Sequence, residues 1–476
     1  MKLTDDGLSV AGKLEKVYDG WPIPQHWTVE GMALEGPKMK KIGEYYYFLN
    51  AQGGTAGAPT SHMAVVARSK SVDGPWENSP CNPLIHTYSG EEQWWSKGHA
   101  SLVDTPDGRW WAVYHAYEKD YLTLGRQTLL EPIEITEDGW LKAPLEKKVE
   151  EEIPSPLSLN GAADRHARLD EFRIGFDWKF YKRYQPRRVR VEGDTLVLQA
   201  QGGNPAESSP MMFVTGAHKY EISARIECDS AAVAGLILYY NDRFYVGTGC
   251  DRHNRHKWRR GKYRGRSGQG DYTALWLKLR NEDHVVTGYY SYDGKKWMKE
   301  TFGMEISGYN HNTLDDFQSV LPGLFVYGKG KAQFTDFQYK ELESGIGIIV
   351  NGDGLALSTI NQAQKMGMET ACFLNLKGGV DRDKIAASIK LIMTNPKVDG
   401  ILINILGGFL RCNLIADGII TVANDLGLNI PLVVRFEGTN KNEATEILQK
   451  SGLPLSIASD TLEGLTLLKS AIEEDL

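Results

Sequence analysis

Glu35-Gly36-Pro37-Lys38, Gly98-His99-Ala100-Ser101-Leu102 and Leu124-Gly125-Arg126-Gln127-Thr128 are three signatures within one stretch of the chain, Glu35 to Trp140. Aromatic segments separate them, Tyr45-Tyr46-Tyr47-Phe48-Leu49 and Trp110-Trp111-Ala112-Val113-Tyr114. Three Asp-Gly pairs are each followed closely by tryptophan: Asp73-Gly74 before Trp76, Asp107-Gly108 before Trp110, and Asp138-Gly139 before Trp140. Asp-Gly accepts the positive φ angles of tight hairpin turns, so the stretch predicts successive antiparallel hairpins with aromatic faces. A recurrence of this kind suits radial sheets, as in a propeller.

Working outward, 476 residues suffice for about three domains, and 41% hydrophobic with 24% charged residues is an ordinary globular composition. Fifty glycines and 10% aromatics favour turn-rich β structure. A net charge of -7 gives no general attraction to nucleic acid or acidic membranes. Cys81, Cys228, Cys250, Cys372 and Cys412 show no paired spacing and read as thiols of a reducing compartment. Met1-Lys2-Leu3-Thr4-Asp5-Asp6 has no apolar core, and no run approaches the ~20 apolar residues that span a bilayer. These features predict a cytoplasmic chain with neither a nucleic-acid nor a membrane partner.

Further features join the three signatures in order: Gly53-Gly54-Thr55, Ala67-Arg68-Ser69-Lys70, Asp73-Gly74-Pro75-Trp76 and Asn82-Pro83-Leu84. The ordered set resembles the C-terminal part of a glycoside hydrolase family 43 enzyme, the five-bladed propeller family of β-xylosidases and α-arabinofuranosidases. The resemblance implies a partial β-propeller over residues 1–145, because Thr4-Asp5-Asp6-Gly7-Leu8-Ser9 resembles a turn from the middle of that propeller.

Cleaving a glycosidic bond ordinarily needs one acid for the leaving oxygen and an opposed carboxylate. The resemblance implies three acids, and Glu35 alone is found, as the proton donor of Glu-Gly-Pro. Glu30 lacks the following Gly-Pro. From the residues alone, His99 reads as a hydrogen-bonded core histidine and Arg126 as a strand-end arginine; the resemblance makes both substrate-binding. It also admits calcium in the propeller, near His99. No metal-ligand set is read from the sequence. Trp94 and Trp95 suit either sugar stacking or packing between blades.

Residues 146–168 read as a linker, with Lys147-Lys148-Val149-Glu150-Glu151-Glu152 followed by Pro154 and Pro156. From 169 to 342, alternation in Thr195-Leu196-Val197-Leu198-Gln199 and in Tyr220-Glu221-Ile222-Ser223-Ala224-Arg225-Ile226 predicts half-buried strands of a sandwich. This part resembles the concanavalin-like β-sandwich of family 43 β-xylosidases, which closes one side of the sugar pocket. The basic run Arg252 to Arg266 reads as a solvated hairpin rather than a grip for single-stranded nucleic acid.

Residues 343–476 alternate strand and helix patterns from Gly345-Ile346-Gly347-Ile348-Ile349-Val350 onward, a doubly wound α/β (flavodoxin-like) domain. Val350-Asn351-Gly352, Asn404-Ile405-Leu406-Gly407-Gly408, Ile415-Ala416-Asp417-Gly418 and Val433-Val434-Arg435 make it similar to the C-terminal domain of a succinate-CoA ligase β subunit. Gly407 and Gly408 are expected to open a helix and hold an anion on its free N–H groups. Where the family pattern has Phe-Leu-Asp-x-Gly-Gly-Gly, this chain has Phe373-Leu374-Asn375-Leu376-Lys377-Gly378-Gly379, so a carboxylate and a glycine are replaced.

The whole reads as a glycoside hydrolase-like protein for xylosides or arabinosides joined to a ligase fragment. Catalysis is expected to be impaired for want of the base-bearing blades. The alternatives are a succinate-CoA ligase β-subunit fragment that docks an α subunit, and a carbohydrate-binding module.

Overall fold

The computed structural model describes residues 2–13, 15–144, 169–268, 270–314, 316–342, 345–376, 382–393, 395, 397–408, 411–427 and 430–475. The expected linker at 146–168 and the glycines Gly378 and Gly379 lie outside them. The chain divides into two compact units, 1–218 with 222–338, and 339–476 with 219–221.

In the first unit, residues up to Lys142 form two antiparallel blade-like sheets and a small hairpin. One sheet runs Leu34–Ile42, Tyr45–Gln52, Met63–Ser69, Glu77–Asn78, with Ile85–His86 also on Met63–Ser69. The other runs Leu141–Lys142, Arg126–Ile135, Trp110–Glu118, Trp94–Asp104. Each Asp-Gly pair falls between successive strands, and Gly74, Gly108 and Gly139 take φ of 90°, 81° and 81°. The Arg68 guanidinium lies 3.6 Å from the Trp140 ring centre and donates to the Asp138 carbonyl at 2.7 Å. That contact fastens one sheet to the turn of the next, and a core of Tyr47, Leu49, Val66, Ala100, Ala112 and Ile133 fills the gap between them.

Glu131 is an acid within this packing. It is buried, its Oε2 accepts the Tyr114 hydroxyl at 3.4 Å, and its Oε1 has no partner. Burial pushes its carboxyl above the ordinary 4.5, against a downward pull from Lys97 and Tyr114. The native acid therefore keeps its proton where the unfolded one has lost it, and stability falls as pH rises from 4.5 through the native value. Glu131→Gln should stabilise the chain at pH 7 and flatten the profile of unfolding midpoint against pH; an unchanged profile would contradict the assignment.

The sandwich has two seven-stranded sheets, with strand Ala232–Asn241 central to one and strand Lys219–Cys228 to the other. The alternation in 195–199 is visible as Leu196 and Leu198 buried at 0% exposure between more exposed neighbours. The basic run forms the hairpin Arg255–Arg259 and Lys262–Ser267, but it is solvated only in part. Arg255 and Lys257 point into the protein, at 3.0 and 2.9 Å from the carboxylate of Glu300.

The second unit is a five-stranded parallel sheet in the order Thr370–Asn375, Gly345–Val350, Val398–Gly407, Leu432–Gly438, Ser456–Ala458. Alternate residues face opposite layers. Ile403, Ile405 and Val434 pack with residues of helices Arg382–Met393, Cys412–Leu426 and Lys441–Lys450, whereas Leu402 and Val433 pack with residues of Asp353–Lys365 and Thr461–Asp475. The first helix begins at Asp353, where Asn375 Oδ1 accepts the Gly352 N–H at 2.6 Å and its Nδ2 donates to Asp353 at 2.5 Å. An amide performs both roles at that position; an aspartate would set two carboxylates together. Strand 456–458 and the last helix carry no expectation from the sequence.

Candidate active site

A register shift in the pairing of Leu34–Ile42 falls between Glu35 and Lys38, and Gly36 within it takes φ of 59°. A bulge of this kind re-aims side chains at a strand end. Gly36 is forced by what lies opposite: a Cβ there would come 2.1 Å from His99 Nε2. His99 itself has φ of 57° in strand Trp94–Asp104, so two unusual backbone positions face each other.

His99 does not stand alone. His62, before strand Met63–Ser69, and His115, in Trp110–Glu118 opposite Gly98, place a ring nitrogen each within 4.8 Å of the others and of His99. His62 donates Nδ1–H to the Ser96 carbonyl at 3.2 Å, which leaves Nε2 buried without a partner. Both nitrogens of His115 are likewise buried and unpartnered. Burial pushes His62 down to about 4, against the pull of the Ser96 carbonyl, and His115 down to about 3, with His62 and Arg126 adding to the effect. His99 is lowered mainly by burial and by Lys38, while Glu35 opposes.

Arg126 begins strand Arg126–Ile135 after Gly125. Its Nη2 donates to Thr55 Oγ1 at 3.0 Å, its Nε reaches the Tyr117 hydroxyl at 3.4 Å, and its guanidinium lies 4.4 Å from the Phe317 ring centre. Phe317 belongs to a sandwich loop, and the neighbouring Val320 N–H donates to the Thr123 carbonyl at 2.8 Å. A groove of about 500 Å³ opens here between sheet and sandwich, lined by Tyr117, Arg126, Thr128, Val214, Phe317 and Gln318 among others. The charges of Glu35 and Arg126 both act on His99, and Gly36, next to Glu35, lies against the His99 ring.

Glu30 is tied to the loop between Tyr45–Gln52 and Met63–Ser69, its backbone N–H donating to Ser61 and its carboxylate accepting the Ala56 N–H at 2.6 Å. Trp95 donates Nε1–H to the Gly90 carbonyl at 3.1 Å and is half-buried, a packing position. His62, His115, Tyr117 and Phe317 lie outside the sequence motifs, and Thr55 is marked there only as part of a turn. No short spacing links the histidines, and Phe317 reaches the groove from a distant loop.

Gly407 and Gly408 belong to the second unit, and they do not open a helix. Gly407 ends strand Val398–Gly407, and the helix starts at Cys412, whose N–H donates to the Thr439 carbonyl at 3.1 Å. Close packing accounts for Gly407: a Cβ would come 2.9 Å from Cys412 Sγ and 3.0 Å from the Thr439 nitrogen.

Calcium does not fit the histidine cluster. That ion takes six to eight oxygen ligands, and the cluster offers nitrogen alone.

Residues 1–141 match the family described as Glycosyl hydrolases family 43, residues 170–342 the β-xylosidase C-terminal concanavalin A-like domain, and residues 349–465 the CoA-ligase family. The chain thus joins a family 43 glycosyl hydrolase segment and its sandwich to a CoA-ligase domain. Among solved structures, a GH43 protein from Bacillus licheniformis superposes with a TM-score of 0.60 at 24% identity, over 71% of this chain and 70% of that one. A xylan β-1,4-xylosidase from Bacillus halodurans gives a TM-score of 0.58 at 23% identity, over 71% and 69%. These likenesses concern the fold. The β subunit of the ADP-forming succinate-CoA ligase of Parvibaculum lavamentivorans is 41% identical over 144 residues, 30% of this chain and 37% of that protein. The chain therefore spans little over a third of that curated relative. Among the described residues no helix is long and apolar enough to cross a membrane.

Proposed function

We propose that the first unit binds xylosides or arabinosides in the Arg126 groove, with Glu35 as proton donor, and that its hydrolytic turnover is impaired. The groove lined by Arg126, together with the charges of Glu35 and Arg126 both acting on His99, carries this reading. Forked guanidinium donors suit vicinal sugar hydroxyls, and Arg126 lines the groove. Hydrolysis needs a second, opposed carboxylate, and Glu35 is the acid of this sequence that matches the family pattern. The assigned domains are 1–145, 169–342 and 343–476, with 146–168 as linker. Calorimetry with xylobiose tests the binding: Arg126→Ala should weaken it by about 10–100-fold, as loss of hydrogen bonds to a charged group does. Equal affinity in the variant would place the sugar elsewhere.

A second reading concerns the other unit. The 41% identity to a ligase β subunit supports docking of a CoA-ligase α subunit by residues 345–476. Co-purification with such a subunit should be lost when those residues are deleted; retention would assign the contact elsewhere.

A further inference from the structure

We propose that His62, His99 and His115 form a binding site for a divalent transition metal of the zinc type, in place of the calcium that the family resemblance admits. A neutral imidazole carries one donor and one acceptor nitrogen, and buried polar atoms in folded proteins are nearly always partnered. Here three ring nitrogens, His62 Nε2 with His115 Nδ1 and Nε2, are buried without a partner. They belong to the group whose ligand atoms converge within 4.8 Å.

The site is built by the backbone. Gly98 pairs with His115 across adjacent strands, and a Cβ on Gly98 would come 2.5 Å from His62 Nδ1. Gly36 makes the same room for His99. The bond from His62 Nδ1 to the Ser96 carbonyl fixes the tautomer that leaves Nε2 as acceptor, the outer-shell arrangement typical of metal-ligating histidines. Nitrogen donors suit zinc, cobalt, nickel and copper, whereas calcium and magnesium take oxygen. Three histidines leave a tetrahedral ion one further position, and His99 and His115 are only half-buried. Lys38 and Arg126 set positive charge beside the cluster and Glu35 negative charge. The affinity should therefore be below that of closed, thiolate-rich zinc sites.

Chelator-stripped full-length chain, without an added histidine tag, is titrated with Co²⁺ and followed by visible absorption, then with Zn²⁺ in competition. One equivalent of Co²⁺ should bind with a tetrahedral spectrum, be displaced by Zn²⁺, and persist in excess Ca²⁺. His62→Gln and His115→Gln should each weaken binding by more than the ~10–100-fold that follows loss of an outer-shell partner. Thermal unfolding of the unsubstituted chain gives a readout that needs no variant: Zn²⁺ should raise its midpoint and Ca²⁺ should not. Absence of saturable binding, displacement by Ca²⁺, or undiminished affinity in the two variants would overturn the proposal.

Discussion

Glu300→Ala should destabilise the sandwich by about 3–5 kcal/mol, the range seen when one partner of a buried ion pair is removed. The Glu300 side chain is 2% exposed and is gripped by Arg255 Nε at 3.0 Å and Lys257 Nζ at 2.9 Å, whose own side chains are 9% and 14% exposed. Arg255 also lies 3.5 Å from the Tyr290 ring centre and donates Nη1–H to the Tyr292 hydroxyl at 3.3 Å. Truncation leaves two cations with a single lost anion between them. The exposed pair Lys182 and Asp242, 50% and 48% exposed, is the control: Lys182→Ala should change stability by about 1 kcal/mol or less. Denaturant unfolding read by tryptophan fluorescence separates the two, and equal effects would contradict the buried-pair reading.

Glu35→Gln should lower whatever aryl xyloside hydrolysis the chain shows by about 10²- to 10⁴-fold, the usual contribution of one positioned acid. Glutamine keeps the shape and the hydrogen-bonding groups but has no proton to give the leaving oxygen. Glu35 is exposed at a bulge rather than packed in the core, so the unfolding midpoint should stay within about 0.5 kcal/mol of the unsubstituted chain. A loss of rate together with a loss of stability would point to a structural role instead.

Much of the fold is legible locally. The Asp-Gly turns before tryptophan mark hairpins because positive φ and an aromatic face are both short-range requirements. The strand and helix alternation after Gly345 likewise names the parallel sheet. What the sequence does not disclose depends on contacts between distant segments. Arg255 and Lys257 sit in a run that looks solvated, and only the pairing of the sheets brings Glu300 beneath them. Gly407 and Gly408 have the composition of a helix-opening turn, yet Thr439 takes the place next to the helix start and close packing explains Gly407. Glu35, His99 and Arg126 stand out because each sits in a recognisable short motif. His62 and His115 have no such setting, and their meeting follows from the packing of two separate sheets, between positions 53 apart in the sequence.

The turnover number of the purified chain on an aryl β-xyloside is the most direct measurement of the central claim, that the Arg126 groove binds sugar without efficient cleavage. The account predicts saturable binding with turnover far below the ~1–10³ s⁻¹ of ordinary enzymes. Turnover within that range, surviving Glu35→Gln, would contradict it.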